Sequence, residues 1–234
     1  MQRFLVISDI HGEIEKFEKL LVEAQYNAKQ DQLILLGDYV DRGPNAKAVI
    51  EKVMELKEEG AFVLKGNHED MMIKALTTDE EQLWDHWVKR NGGNKTLYSY
   101  NFSENDIATD EEEFKKPNLK SEILEKHLQF IQKLEHYIET EQYIFVHAGV
   151  EPTKPVSESE PYTLMWIRNE FHSGYNGEKT VVFGHTETKT LHGDDNCDVY
   201  FGNNRIIGID GGAVYGGQLN CLELPSQIVY AVKE

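Results

Sequence analysis

The chain lacks most of what a secreted, membrane or nucleic-acid-binding protein needs. Its 234 residues include only two cysteines, Cys197 and Cys221, which give no disulfide framework and have no metal-ligand spacing. No run approaches the roughly 18 apolar residues of a membrane span. The amino terminus enters a strand-like run, Phe4 to Ile7, without the cationic, apolar and small-residue order of a secretory leader. A cytoplasmic, reduced setting is therefore expected. Positive charge is also scarce, with 24 Lys+Arg against 41 Asp+Glu for a formal net charge of −17. That balance excludes the cationic surface that a nucleic-acid polymer or an anionic membrane requires. It does not exclude a phosphorylated substrate, because metal ions and a few arginines attract phosphate locally. Repeats, low-complexity segments and linkers are missing too, so residues 1–234 read as one domain.

What is present is five short polar clusters: Asp9-Ile10-His11-Gly12, Gly37-Asp38-Tyr39-Val40-Asp41-Arg42-Gly43, Gly66-Asn67-His68-Glu69, His147-Ala148-Gly149 and Gly184-His185-Thr186. Each follows, directly or after one residue, an apolar run that reads as a buried strand: Phe4–Ile7, Leu33–Leu36, Phe62–Leu64, Tyr143–Val146 and Val181–Phe183. After the first cluster Ile14, Phe17, Leu20, Leu21 and Ala24 recur at helical spacing. After the second, Ala46, Val49, Ile50, Val53 and Leu56 do the same, with Pro44 at the expected first turn and Gly60 beyond the end. A third helix is expected through Met71, Met72 and Ala75. This strand–cluster–helix rhythm is that of an α/β sheet covered by helices, with the clusters at the carboxyl ends of strands, where such sheets bind ligands.

From about Leu76 to Glu141 the rhythm changes. Trp84 and Trp87, a Gly92-Gly93 break, an acidic run from Asp110 to Glu113 and a helical stretch from Ser121 to Glu135 suggest a mostly helical insertion. It stands either near the mouth of the site, where insertions set substrate choice, or as a longer connection with its own small core. The tryptophans read as core rather than as a base-stacking platform. The last third returns to strands at Arg205–Ile209, Gln218–Leu224 and Ile228–Val232, with Val199–Phe201 too short to assign and a glycine-rich turn from Asp210. His86, His127, His136, His172 and His192 lie outside the clusters and read as surface or packing residues.

Two divalent metals about 3.5–4 Å apart make a hydrolytic site, and a shared carboxylate is the simplest way to hold them so close. Asp9 and His11, two residues apart on an extended segment, face the same way and suit one metal. Asp38 is the natural bridge, and Asn67, His147 and His185 suit the second. Oxygen and imidazole ligands without thiolate favour Mn²⁺, Fe or Zn²⁺ over Ca²⁺; Mn²⁺ is put first. Taken singly, Asp-x-His is a turn or cap, Asn67 a turn residue, and Asp41-Arg42 a surface ion pair worth under about 1 kcal/mol. Five clusters together outweigh those readings.

Asp-x-His-Gly, Gly-Asp-x-Val-Asp-Arg-Gly, Gly-Asn-His-Glu, His-Ala-Gly and Gly-His-Thr resemble the motifs of the calcineurin-like metallophosphoesterases, in their phosphoprotein phosphatase branch. The resemblance runs from Asp9 to Gly212. It implies a sandwich of two sheets flanked by helices, four layers in all, around a two-metal phosphoester hydrolase site. It also implies that Asp9, His11 and Asp38 bind one metal, and Asp38, Asn67, His147 and His185 the other. Further implications are that His68 is the general acid, oriented by Asp41, and that Arg42 clamps the phosphate. Arg168 matches a second family arginine only loosely. Substrate contacts would come from Arg42, Asn67 and Arg168, and water activated by the two metals would attack phosphorus in line.

The motif set resembles that of the bacterial and phage serine/threonine protein phosphatases, which makes that the first functional expectation. The runner-up is hydrolysis of a dinucleoside polyphosphate such as diadenosine tetraphosphate, by relatives with the same motifs. Gly211 stands where threonine is usual in the late Asp-Thr-Gly-Ala stretch of these enzymes, which removes any hydrogen bond from that hydroxyl. A third reading, an inactive binding module, requires a lost ligand or a lost acid, and none is lost.

Overall fold

The computed structural model describes residues 2–109 and 113–233, so most of the acidic run from Asp110 to Glu113 lies outside the described residues. The strands are β1 (Arg3–Ile7), β2 (Asp31–Leu35), β3 (Phe62–Val63), β4 (Tyr137–Glu139), β5 (Tyr143–Val146), β6 (Thr180–Phe183), β7 (Tyr200–Phe201), β8 (Ile206–Gly208), β9 (Leu219–Leu224) and β10 (Ile228–Val232). Among the described residues they form two five-stranded sheets, ordered β10-β9-β1-β2-β3 and β4-β5-β6-β8-β7. Each sheet has three adjacent parallel strands, β1-β2-β3 in one and β5-β6-β8 in the other. Antiparallel strands β9 and β10 complete one edge of the first sheet, and antiparallel β4 and β7 complete both edges of the second.

Alternation along the strands explains the layers. Leu5, Ile7, Leu33 and Leu35 face the helix side with Phe17, Leu20, Val49 and Val53. Their neighbours Val6 and Ile34 turn inward to meet Phe145, Val182 and Ile207 of the other sheet. Ile144, Val146, Val181 and Phe183 turn outward onto Leu164 and Phe171. With side chains of period two and both faces covered, the central stretches Leu5–Ile7, Leu33–Leu35, Ile144–Val146 and Val181–Phe183 are apolar at every position. The helix–sheet–sheet–helix order expected from the motifs is what the chain adopts.

Helices α1 (Ile14–Glu23), α2 (Ala46–Glu58) and α3 (Asn67–Thr77) follow the first three clusters. Asn45 rather than Pro44 starts α2: its Oδ1 accepts from the Ala48 N–H at 3.1 Å, a cap worth about 1 kcal/mol. Pro44 lies just outside the helix. Between 76 and 141 come α4 (Glu81–Asp85), a π-helical turn at His86–Arg90, α5 (Gly93–Ser99), α6 (Glu104–Ile107) and α7 (Glu122–Gln132). They pack around Trp84, Trp87, Leu97 and Ile131, together with Val40, Ala46 and Met72. Ser121 caps α7, which ends short of Glu135. Beyond the expected helix the segment ends in a strand that was not foreseen, β4, which pairs antiparallel with β5. Three residues paired only to a distant strand leave no periodic signal. No helix of the described residues is long and apolar enough to cross a membrane.

Candidate active site

The carboxyl ends of the parallel strands of both sheets run into the five clusters. The chain turns there through the left-handed region at Asp9 (φ 54°), His11 (45°), Asp38 (58°), Asp41 (72°), Arg42 (68°) and His185 (64°). Such residues cost roughly 1–3 kcal/mol each and persist only where the surroundings over-determine them. Glu69 does much of that. Fully buried, its carboxylate accepts from the backbone N–H groups of Asp38 (2.8 Å), Tyr39 (2.8 Å) and Gly66 (2.9 Å). The Asp9 carboxylate accepts from the His185 N–H at 3.0 Å, tying the two sheets together at the site. Asp38 Oδ1 accepts from the His68 N–H in the first turn of α3 at 3.0 Å, where the helix dipole favours an anion.

Two clusters of donor atoms result, His11–Asp38–His68 and Asp38–His147–His185, each with its atoms within 4.8 Å of one another. Asp38 is common to both. The structure thus gathers the residues expected as ligands, with one difference of placement. His68 lies with His11 and Asp38 in the first cluster, whereas Asp9 stands beside it, turned to the His185 backbone.

The imidazoles are set up to offer lone pairs. His11 Nδ1 meets the Val40 carbonyl at 2.7 Å and His147 Nδ1 meets the Leu36 carbonyl at 3.1 Å. A carbonyl only accepts, so Nδ1 carries the hydrogen and Nε2 the lone pair in both rings. Burial holds His11 and His185 well below the usual histidine range, with His68 and Arg42 adding to the effect at His11 and His147 at His185. His147 falls to about 4, also chiefly by burial. Neutral rings are what metal ligation needs.

The polar atoms also show that divalent cations fit. His147 Nε2 faces Asn67 Oδ1 at 2.8 Å and Asp38 Oδ1 at 3.5 Å, acceptors with no proton between them. His185 Nε2 is buried without a partner. Asp38 is pushed well above the usual carboxylate range by burial, then by Asp9 and Glu69, and Asp210 likewise by burial and then Asp9. Buried carboxylates that raise one another's cost of ionisation are relieved by cations among them.

Beside this donor set lies an acid–base pair. Asp41 is no surface ion pair: it is fully buried, and its Oδ2 meets His68 Nδ1 at 2.6 Å. Burial pushes Asp41 up to about 8, against the hydrogen bonds from Thr96 and Trp87, while burial, Arg42 and His86 hold His68 low. A protonated Asp41 donating to a neutral ring and an ionised Asp41 accepting from an imidazolium hold the same number of protons. Either way His68 Nε2, 3.9 Å from Asp38 Oδ2, bears a hydrogen. Arg42 Nη1 donates to His11 Nε2 at 2.8 Å. Arg168 Nη1 donates to Thr186 Oγ1 at 2.7 Å and to the His185 carbonyl at 3.1 Å.

These groups wall a cavity of about 130 Å³ lined by Asp9, Asp38, Arg42, Asn67, His68, Arg168 and His185, and also by Glu187, Thr190, Asp210 and Tyr215. A larger cleft of about 380 Å³ lies between Leu76, Lys116 and Leu128, away from the donor set. Of the histidines outside the clusters, His86 is exposed, and His127 is buried against the Tyr100 hydroxyl at 2.7 Å.

The comparisons agree with this arrangement. The sequence profile of the calcineurin-like phosphoesterase family matches residues 2–217. The chain belongs to that family. Among its relatives is the asymmetrical bis(5'-nucleosyl)-tetraphosphatase PrpE of Oceanobacillus iheyensis, 23% identical, with 95% of this chain and 88% of the relative covered. Another is serine/threonine-protein phosphatase 1 of Salmonella typhimurium, 27% identical over 92% of this chain and 88% of that protein. Of solved structures, a candidate diadenosine tetraphosphatase superposes with a TM-score of 0.70 at 21% identity, covering 99% of this chain and 93% of that one. A serine/threonine phosphatase of Saccharomyces cerevisiae superposes at 0.64 and 13% identity, covering 100% and 80%. The chain is thus a phosphoester hydrolase of the phosphoprotein phosphatase branch, and the family's dinuclear divalent metal centre suits its His/Asp clusters.

Several contributors to this calcineurin-like site were not foreseen as such. Asp210 was read as the start of a glycine-rich turn and of the late Asp-Thr-Gly-Ala-like stretch, with no role at the site, although it follows an apolar run as the five clusters do. Tyr215 and Glu187 carry no motif. Glu69 ends the Gly-Asn-His-Glu motif, and its backbone contacts span about 30 positions of chain.

Proposed function

We propose that this protein is a serine/threonine protein phosphatase, hydrolysing phosphoserine or phosphothreonine esters from one domain with a helical insertion at about 76–141. The carrying observation is the chamber itself: about 130 Å³ of polar space with two guanidinium groups on its wall. That is room and charge for one dianionic phosphoryl group. Asp9, His11, Asp38, Asn67, His147 and His185 would hold two divalent cations. When bound, these supply positive charge to the phosphoryl oxygens and acidify the attacking water.

The side chains do the rest. Arg42 offers its planar fork to two phosphoryl oxygens, with Arg168 and the Asn67 amide as further contacts. Arg42 is braced on the face of Tyr215, with Cζ 5.3 Å from the ring centroid. Asp41 fixes the His68 ring, and His68 Nε2 gives its proton to the leaving serine or threonine oxygen as water enters from the opposite side. The free state of both thiols accords with a reducing cytoplasm.

A second reading, hydrolysis of a dinucleoside tetraphosphate, is favoured by Tyr215. The residue is 53% exposed at the mouth beside Arg42, and its ring offers a flat surface for a nucleobase; several relatives are named for that activity. The test supplies purified protein with Mn²⁺ and compares a phosphoserine/phosphothreonine peptide, a phosphotyrosine peptide and diadenosine tetraphosphate. The highest kcat/KM is expected on the first. A strong preference for the dinucleotide overturns the first reading in favour of the second.

A further inference from the structure

Asp41 is anchored from a part of the chain that does not line the chamber. Its Oδ1 accepts from the Thr96 hydroxyl at 2.7 Å and from Trp87 Nε1–H at 2.9 Å. Its Oδ2 is 3.0 Å from the same indole nitrogen and 2.6 Å from His68 Nδ1. The Asp41 N–H donates back to Thr96 Oγ1 at 2.8 Å, so that hydroxyl holds the residue at backbone and side chain together. An ionised carboxylate has about four lone-pair sites, and three donors reach this one, with the single indole hydrogen shared between the two oxygens.

Trp87 lies in the π-helical turn His86–Arg90, and Thr96 one turn into α5. A π turn inserts one residue into the helical register and so re-aims side chains, a feature frequent at functional sites. The Gly92-Gly93 turn between them fits the same purpose. Gly92 lies at φ +85°, its carbonyl accepts from the Arg42 N–H at 3.3 Å, and a Cβ there would come within 2.7 Å of Arg42 N. At Gly93 a Cβ would come within 2.6 Å of the Trp87 ring. Trp84 supplies the contrast: it is equally buried and packs edge-on against Trp87 at 6.2 Å, yet its indole nitrogen has no partner. One tryptophan packs, and the other packs and holds Asp41.

We propose that Trp87 and Thr96 are positioning residues for proton delivery, locking the Asp41 carboxylate so that His68 keeps Nε2 aimed at the leaving oxygen. The segment 86–99 then serves as a brace behind the reacting groups. This rests on the reading of His68 as proton donor, and the test separates the two.

The substrates are two aryl phosphates, phenyl phosphate and 2,4-dinitrophenyl phosphate. The dinitrophenolate departs without a proton, whereas phenolate benefits from one. Trp87→Phe and Thr96→Val should lower kcat on phenyl phosphate by roughly tenfold to a hundredfold, as partners that orient reacting groups do. On the dinitrophenyl ester they should act little, with KM and bound metal unchanged. Thr96→Ser should restore the rate, and Trp84→Phe should treat both esters alike. Equal losses on the two esters, or none, would overturn the proposal. His68→Asn is measured beside them. If it shows the ester dependence and the Trp87 and Thr96 variants do not, the brace alone fails. If His68→Asn shows none, the assignment of His68 beneath it fails.

Discussion

The two sheets meet at one edge and bring different chemistry to it. The first sheet, through the turns after β1 and β2, contributes Asp9, Asp38 and Asp41 with His11 and Arg42, and five of these residues sit at positive φ. The second contributes the imidazoles of His147 and His185, the latter its one left-handed residue among these, and the Asp210 carboxylate. Charge and backbone strain are concentrated on one side, held by Glu69 and by the segment from Trp87 to Thr96. Neutral donor atoms come from both, His11 and Asn67 on the first side and His147 and His185 on the second. The site exists only while the apolar layer from Val6, Ile34, Phe145, Val182 and Ile207 keeps the two edges together.

The sharpest way to break the comparison is Asp38→Asn, which removes the charge common to both donor clusters. Bound metal should fall for both ions, and activity by roughly 10⁴-fold or more, beyond the ~10²–10³ of a single lost oxyanion donor. Full occupancy of both ions in that variant would contradict the sharing. Next is the layer between the sheets. Phe145→Ala should cost about 3–5 kcal/mol in urea unfolding, and a loss under about 1 kcal/mol would show that the sheets are held together by something else. A gentler probe of the second sheet is His185→Asn, expected to deplete one ion of the two and to lower activity roughly 10–100-fold. If it emptied both, the division of labour between the sheets would be wrong. The smallest effect concerns the thiols. Cys221, buried in β9 and pushed up to about 12 by burial, should resist a disulfide reagent, while the partly exposed Cys197 reacts. Two fast thiols in the native protein would show that β9 opens.

The sandwich was implied by the resemblance of the motifs, and most of the donor set was legible because the runs Phe4–Ile7, Leu33–Leu36, Phe62–Leu64, Tyr143–Val146 and Val181–Phe183 lead into polar clusters. Period and composition expose such a pattern without knowledge of partners. What was not legible depends on partners. β4 is three residues whose only argument for being a strand is β5. Glu69 serves Asp38 and Tyr39 from about 30 positions away, and Trp87 reaches Asp41 across 46. Trp87 was rightly read as a core residue, since it is fully buried. Its hydrophobicity marks the ring, and only the fold shows where the N–H points. The left-handed turns at Asp9, His11 and His185 fall on types enriched in that region, but type alone does not say which Asp or His adopts it.

Asp38 lies in both donor clusters, and this has a thermodynamic consequence. An ion held with His11 would withdraw electron density from the carboxylate that a second ion needs and would repel that second ion, while also fixing the Asp38 side chain for it. The two equilibria would therefore be linked, and by reciprocity each ion would alter the other's affinity by the same factor. A titration followed by calorimetry should then demand an interaction constant, and a fit to two independent sites should leave systematic residuals.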